Sequence, residues 1–403
     1  MDRLKHILSI KIALLLLFVF TIQGCTEQYV IQTNTFDDAL VIEATITNEF
    51  KKQQIKISRT YRFEENGPIP ETGAEVYITD ETGNRIDFEE SNGQYFSASE
   101  FEAQPEKSYR LSIVTKDGRT YSSTTEKLPS VNEIQDITTT VKTVQGKRGV
   151  SLNVQSYNPE ATSGYYRYEY EETYKIVAPY TSAFRATVVP GAVGSTHDDI
   201  AVILRDGREI TTCYSNALSS DIIQTSTAEL SEDRVDFPVR FIGDRDPIIA
   251  NRYSILVRQY VQNLASYTFY KTLKDLSGSG SILSQNQPGF FYGNMHSNDN
   301  PNEKVIGFFD VSSVSSKRVF FNYTDLFPGE PFPPYFVDCL ARIYKFCFVP
   351  TDPECRGAAL LSSIASNQIQ YLGDDDLYYT MALTPCVDCT NISSNIKPSF
   401  WID

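Results

Sequence analysis

Six cysteines in the second half of the chain are the residues with the most clearly defined chemistry. An even number of thiols predicts disulfide bonds if the chain is exported, as the N-terminal segment described below indicates. Six thiols are compatible with many pairings, so the spacing assigns none of them. The disulfide candidates are Cys213, Cys339, Cys347, Cys355, Cys386 and Cys389.

Cys386-Val-Asp-Cys389 also has the spacing of a zinc knuckle or a redox dithiol. Zinc would need two further ligands, and the gaps between Cys339, Cys347 and Cys355 do not match a second knuckle. A redox dithiol usually opens a helix, whereas Asn-Ile-Ser-Ser-Asn follows here. We therefore predict structural disulfides and no metal.

Nucleophilic catalysis would have to use one of two histidines downstream of residue 24. His197 lies in the glycine-containing segment GAVGSTHDD, and His296 lies in GNMHSNDNPNE, whose composition is typical of a turn. Neither is near a nucleophile elbow, and the chain has no Gly-x-Ser-x-Gly motif. We predict that the protein is not an enzyme, with a hydrolase using His197 or His296 as the alternative.

Two groups of oxygen-bearing side chains resemble calcium ligands by type. Neither has the alternating spacing and central glycine of a calcium loop, so we interpret both as solvated turns. The groups are Asp374, Asp375 and Asp376, and Asn298, Asp299, Asn300, Asn302 and Glu303.

Aromatic rings beside prolines and glycines are the best candidates for recognition. FPGEPFPPYFVD is a stiff loop that would lose little entropy on docking, and QNQPGFFYGNM places rings beside glycines. The alternative is that the rings complete a hydrophobic core. The binding candidates are Phe327, Phe332, Tyr335, Phe336, Phe290, Phe291 and Tyr292.

The N-terminal segment predicts a lipid anchor. Basic residues precede a leucine-rich run that is shorter than the roughly 20 residues of a spanning helix, and Gly24 stands directly before Cys25. We predict a lipoprotein signal over residues 1–24, acylation of Cys25, and a polar tether over residues 25–37. The alternative is an ordinary signal peptide in which Cys25 has no role. The lipid is the only non-protein group expected.

Composition indicates an acidic, strand-rich protein. The net charge of −15 argues against nucleic acid and against binding anionic lipid through the protein's own surface. The 25 tyrosines and 24 phenylalanines, with frequent Thr, Val and Ile, favour strands. We therefore expect a mainly β fold.

Residues 38–128 are predicted to form an immunoglobulin/transthyretin-like β-sandwich. Apolar and polar residues alternate in ALVIEATITNE, in QQIKISRTY and around Val76 and Ile78, and turns are expected at Gly83 and Gly118. In SYRLSIV, Tyr109, Leu111 and Ile113 share one face. The segment EKLPSVNEI then corresponds to a linker.

Residues 131–403 are predicted to form a larger β-rich domain with a disulfide-rich C-terminal segment. In YYRYEYEETYKIV, Tyr166, Tyr168 and Tyr170 lie on one face, opposite alternating Arg and Glu. ASYTFYKTLKDLSG predicts one short helix, and EKVIGFFDVSSVSSKRVFFNY is interpreted as two strands.

Several segments together resemble the domain of unknown function 4249 family of Bacteroidota lipoproteins. They are LVIEATITNE, RYSILVRQYVQNLASYTFYKTL, GNMHSNDNPNEKVIGFFDVSSVSSKRVFF and the ending CVDCTNISSNIKPSFW. The resemblance implies an outer-membrane lipoprotein that is often encoded beside a TonB-dependent transporter with a carboxypeptidase-regulatory-like extension. It implies no catalytic residues. The resemblance favours a cell-surface location. Surface-exported lipoproteins of this phylum commonly carry several acidic residues just after the lipidated cysteine, whereas only Glu27 follows Cys25 closely, so the periplasmic face remains the alternative.

The expected function is therefore non-enzymatic. We expect a lipid-anchored accessory or substrate-binding partner of a TonB-dependent transporter, acting in uptake of a nutrient such as a peptide or an oligomer. A structural or adhesive module of the cell envelope is the alternative from a different class.

Overall fold

The computed structural model describes residues 39–61, 67–160, 164–278 and 292–403. Strands make up 49% of the structure and helices 10%, which confirms the prediction of a mainly β fold. The predicted lipidation site Cys25, the tether, Phe290 and Phe291 lie outside the described residues. Within those residues, no helix is both long and apolar enough to cross a bilayer.

The first region consists of short strands whose inward residues match the predicted alternation. Leu40, Ile42, Ala44 and Ile46 are all buried. Gly83 and Gly118 adopt φ of +84° and +85° at the predicted turns, a conformation that favours glycine. The strands are β1 (Leu40–Thr47), β2 (Gln54–Arg59), β3 (Ile69–Pro70), β4 (Glu75–Asp80), β5 (Arg85–Ser91), β6 (Gln94–Ser97), β7 (Ser108–Val114), β8 (Thr120–Ser123) and β9 (Glu126–Lys127).

The next region contains longer strands and the predicted helix. Helix α1 spans Leu264–Gly278, and its Phe269 is buried as its spacing indicated. The strands are β10 (Ile134–Val144), β11 (Lys147–Asn158), β12 (Tyr165–Val177), β13 (Phe184–Val189), β14 (Asp199–Leu204), β15 (Thr212–Leu218), β16 (Ile223–Ser226), β17 (Asp233–Gly243) and β18 (Arg252–Val261).

The remaining elements lie in the last third of the chain. The second of the two helices there begins directly after Arg356 and was not expected from the sequence. The elements are β19 (Met295–Ser297), β20 (Val305–Asn322), α2 (Tyr323–Leu326), β21 (Arg342–Lys345), α3 (Gly357–Ala365), β22 (Ile369–Asp375) and β23 (Tyr378–Leu383).

The prediction of two strands between Glu303 and Tyr323 was wrong, because β20 is one strand of 18 residues. The serine-rich middle does not break it, since the hydroxyls have partners. Ser312 donates to Asp310 at 2.7 Å, Ser313 to a backbone carbonyl at 3.1 Å, and Ser315 to a carboxylate at 2.7 Å. Paired in this way, buried serines are compatible with a continuous strand.

β20 joins the two sequence regions in one large sheet. Its first half pairs in parallel with β1, and its second half pairs antiparallel with β18. The strand order is β15-β12-β18-β20-β1-β2-β6-β5-β4-β7-β8-β19. A separate sheet, β10-β11-β17, packs against part of it.

One face of β20 contributes to two hydrophobic cores. Phe309 and Val311 belong to the core that the first region encloses, with Ile42 and Leu111, whereas Phe321 belongs to the core between the large sheet and β10-β11-β17. Because successive strand residues point to opposite faces, the even-numbered residues of β20 point away from both cores.

Disulfides and a small sheet, β21-β23-β22, complete the C-terminal segment. Leu360 and Ile364 of α3 pack on this sheet in a core of their own. The predicted disulfides are present and pair Cys213 with Cys389, Cys339 with Cys386, and Cys347 with Cys355. The two cysteines of the C-x-x-C motif thus bond to different partners, which excludes a zinc knuckle or redox dithiol there.

Candidate binding cleft

A cavity in the described part of the chain lies on the face of the large sheet opposite the two cores. Its floor is formed by outward residues of three adjacent strands. The strand register places Val41 beside Ile306 and Glu43 beside Phe308, and pairs Glu43 with Lys56 on β2. The alternation that buries Ile42 and Ala44 therefore directs their neighbours into the cleft.

Helix α1 and the strands β12 and β18 form the walls of this cleft, whose volume is about 720 Å³. Phe269, Tyr270 and Leu273 come from one side of α1, at helical spacing. Arg167 and Glu169 come from β12 and Tyr260 from β18. Rings, aliphatic side chains and charges thus line the same space, as is typical of small-ligand sites.

Arg167 is the central polar residue of the cleft. It is only 8% exposed, and its guanidinium carbon lies 4.2 Å from the ring centre of Tyr260 and 4.9 Å from that of Tyr270. Its Nη1 donates a hydrogen bond to Glu169. Its Nε is buried and has no hydrogen-bond partner among the described residues. Cation–π contacts hold the group in place while part of its donor capacity is unused.

Glu169 is held in its charged form by its neighbours. Burial opposes ionisation, but the Arg167 charge and a hydrogen bond from Tyr260 at 2.8 Å leave the pKa of Glu169 lower than usual. Arg167 and Glu169 therefore form an ion pair at neutral pH, flanked by the Tyr260 ring.

Asp310 lies on the same face of β20 as Phe308 and is fully buried. It is paired in the strand register with Thr45 of β1. Burial raises its pKa. Its Oδ2 accepts from Ser312 at 2.7 Å and from Gln262 at 3.4 Å, whereas Oδ1 has no partner among the described residues. A buried acid with one unsatisfied oxygen is energetically costly, and the charge of Asp310 interacts with that of Arg167.

A second cavity of about 450 Å³ shares part of this lining. Arg167, Lys56 and Tyr270 border both cavities, and Ser219 and Asp221 border the second one only. The shared residues extend the cleft towards the segment between β15 and β16.

Basic side chains outnumber acidic ones around the larger cavity. Lys51, Lys52, Lys56 and Arg167 contribute to its lining, against Glu43 and Glu169. Lys51 contacts Glu49, but Lys52 and Lys56 are exposed and form no ion pair with the described residues. In a chain with a net charge of −15, this local excess of cations favours an anionic ligand.

The aromatic binding candidates occupy different environments. Phe327 is fully buried in the second core beneath Arg148, so its interpretation as a contact residue was wrong, because it fills core volume. Phe332 is 57% exposed and Tyr292 is 68% exposed. Tyr335 and Phe336 are partly buried and pack around the Cys213–Cys389 bridge. Within the described residues, none of these rings lines the two cavities of the cleft.

Neither histidine is among the residues that line the two cavities of the cleft. His197 stacks on Phe348 with ring centres 3.7 Å apart. Nε2 of His296 lies 3.3 Å from Oγ of Ser122, but that hydroxyl donates to Asn298 at 2.7 Å. The serine proton is therefore directed to the amide and not to the imidazole.

The oxygen-rich turns are used in hydrogen bonds within the protein. Asp299 accepts from the backbone of Thr120 at 2.6 Å, Glu303 accepts from Tyr121 at 2.6 Å, and Asp374 accepts from Tyr371. The one metal-like grouping found in the described residues combines Cys347 and Cys355 with a carboxylate, and those two sulfurs form a disulfide. It is therefore not a metal site.

The sequence pattern predicted the two faces of β12 but not the cleft. The alternation of Tyr with Arg and Glu in YYRYEYEE separated the buried face from the face that carries Arg167 and Glu169. Such a pattern usually indicates a face that is exposed to solvent, whereas in this protein α1 packs against that face. The feature of the sequence that could have indicated the cleft is the pair of adjacent aromatic residues in α1, Phe269 and Tyr270.

Comparison with known families yields a match over most of the chain. The family model described as Domain of unknown function (DUF4249) matches residues 26–318, which is more than half of the chain. The match includes β1, β2, β12, β18, α1 and most of β20, and it ends before the C-terminal disulfide segment. No curated protein sequence matches the chain.

Proposed function

Since the chain belongs to the domain of unknown function 4249 (DUF4249) family, we propose that it is a non-enzymatic, lipid-anchored binding protein that assists a TonB-dependent transporter of the outer membrane. The cleft carries this proposal. Its volume, its aromatic and aliphatic walls and its buried Arg167 are features of ligand recognition. Cys25 would supply the anchor through acylation.

The polar groups of the cleft support binding more than chemistry. The charge of Glu169 is balanced by that of Arg167, and the Tyr260 hydroxyl donates a hydrogen bond to Glu169. A general base would instead need a perturbed pKa near neutrality and access to a substrate proton. These side chains are arranged to position a ligand.

The transporter partnership is tested by purification from native membranes. The full-length protein, tagged at its C-terminus, is cross-linked in cells, extracted in mild detergent, and its partners are identified by mass spectrometry. We expect a TonB-dependent transporter in near-stoichiometric amount. Recovery of the tagged protein without such a transporter would contradict the proposal.

The anchor provides the matched control. A Cys25→Ala variant should lose the lipid and appear in the soluble fraction, whereas Cys347→Ala, which also removes one cysteine, should stay in the membrane fraction. Intact mass measurement of the mature chain checks the acyl group directly. An unmodified Cys25 in the membrane-derived protein would refute lipid anchoring.

A further inference from the structure

The charges and rings of the cleft point to a particular class of ligand. Three elements come together there, although they are far apart in the sequence: a buried arginine with an unused donor, two exposed lysines without ion-pair partners among the described residues, and an apolar wall. Phe269 and Phe308 form part of that wall, with ring centres 5.5 Å apart.

We propose that this cleft binds a carboxylate attached to an apolar body, such as the free C-terminus of a short apolar peptide or the head of a fatty acid. The inference rests on the proposed binding function and specifies its ligand. Arg167 and Lys56 would recognise the carboxylate, and Phe269, Leu273 and Ile306 would contact the apolar part.

The donors that the Arg167 guanidinium leaves unused favour a carboxylate as the ligand group. Nη1 of Arg167 is committed to Glu169, while Nε lacks a partner and no hydrogen bond from Nη2 to the described residues is found. The Nε–Nη2 edge of an arginine matches the two oxygens of a carboxylate. A ligand that engages this edge would satisfy a donor that is otherwise buried without compensation.

The lysines provide the long-range attraction. Lys56 projects from β2 on the same face as Glu43, and Lys52 lies two residues before the start of that strand. Both are exposed, so each contributes a modest amount to binding on its own. A cationic ligand would meet these lysines unfavourably, and a fully apolar ligand would leave Arg167 unsatisfied.

The size of the cavity is compatible with either source of the carboxylate. Its volume of about 720 Å³ lies within the range for small-ligand sites. The apolar wall has no feature that selects between peptide and alkyl chains, so the two are distinguished by experiment.

Binding is measured on the full-length lipidated protein in detergent by equilibrium dialysis, with protein-free detergent as the blank. The probes are N-acetyl-trileucine and octanoate, each paired with an uncharged counterpart, N-acetyl-trileucine amide and octanol. We expect at least one carboxylate to bind about tenfold or more tightly than its counterpart. Binding by N-acetyl-trileucine alone identifies a peptide site, and binding by octanoate alone identifies a fatty-acid site.

Charge reversal at the mouth of the cleft supplies the variant test. Lys52→Glu with Lys56→Glu should weaken carboxylate binding by about tenfold or more, since two attractions become repulsions. Lys116→Glu with Lys142→Glu reverses two exposed lysines outside the cleft lining and should leave binding unchanged. Because these four residues are exposed, the variants should fold like the unsubstituted chain.

Arg167→Lys tests the role of the guanidinium edge while keeping the charge. It should weaken carboxylate binding, and its urea midpoint shows whether the fold persists. Absence of carboxylate binding, equal binding of charged and uncharged probes, or an equal effect of the two lysine pairs would each overturn the proposal. A protein that binds no carboxylate but co-purifies with a transporter would overturn this inference alone.

Discussion

The disulfide between Cys213 and Cys389 should be the most stabilising of the three bridges. It spans 176 residues, against 47 for Cys339–Cys386 and 8 for Cys347–Cys355. The chain entropy that a cross-link removes from the unfolded state grows with the logarithm of loop length. The corresponding contributions to the free energy of unfolding are about 5, about 4 and about 2.5 kcal/mol.

The experiment compares two double variants that each remove two sulfur atoms. Cys213→Ala with Cys389→Ala should lower the free energy of unfolding by about 2 to 3 kcal/mol more than Cys347→Ala with Cys355→Ala. The buried location of Cys213 and Cys389 adds a packing loss in the same direction. Urea unfolding is followed by far-ultraviolet circular dichroism.

Fluorescence of the single tryptophan, Trp401, gives a local readout of the same change. Trp401 packs on Tyr214, next to Cys213, with ring centres 5.0 Å apart. Under a thiol reductant every bridge is open in both double variants and in the unsubstituted protein, so the difference between the two variants should shrink to the packing loss. An equal cost for the two double variants under oxidising conditions would refute the loop-length reasoning.

Two further perturbations test the fold. Gly307→Ala should lower the free energy of unfolding, measured in urea, by about 3 kcal/mol or more, since its φ is +152° and a Cβ there would lie 2.3 Å from the carbonyl oxygen of Ile42. Gly83→Ala, at φ +84° with open space around it, should lower it by about 1 kcal/mol. Similar losses for the two variants would contradict the predicted contact. Hydrogen bonds from Thr82 and Lys107 hold the pKa of Asp80 below its usual range, so its stabilising effect is present above about pH 4 and declines as the pH falls below that value. Asp80→Asn should therefore destabilise the protein at pH 7, with the difference from the unsubstituted protein narrowing towards pH 2; a constant difference would contradict this assignment.

Local patterning predicted the elements whose one face is buried and whose other face is polar. The alternation in β1 and β7 and the helical spacing in α1 are short-range signals, and the structure confirms them. The predictions failed where the partner is distant or the segment is buried on both faces. β20 was divided into two strands because buried serines resemble a turn when their hydrogen-bond partners are unknown.

The cleft and the disulfide pairs were not predictable by the same reasoning. Arg167 is part of a candidate binding site because it contacts Tyr260 and Tyr270, which are about a hundred residues away in the sequence. The register that pairs β1 with β20 joins positions more than 260 residues apart. No local pattern encodes such contacts. The sequence could indicate which residues face outward, but the covering helix determines that this face is a binding surface.

The parallel pairing of β1 with β20 determines which variants can test ligand recognition separately from folding. Val41, Glu43 and Thr45 of β1 form part of the floor, and β12, β18 and α1 form the walls, so both sequence regions are needed to enclose the cavity. Deleting the first region would also leave the β20 edge unpaired over the run from Val305 to Ser312, and exposed edges of that length promote association. Loss of ligand binding or of transporter contact in such a deletion would therefore not locate either function in the first region. Point substitutions at Lys52 and Lys56 alter the cleft while preserving the sheet, and they separate recognition from folding.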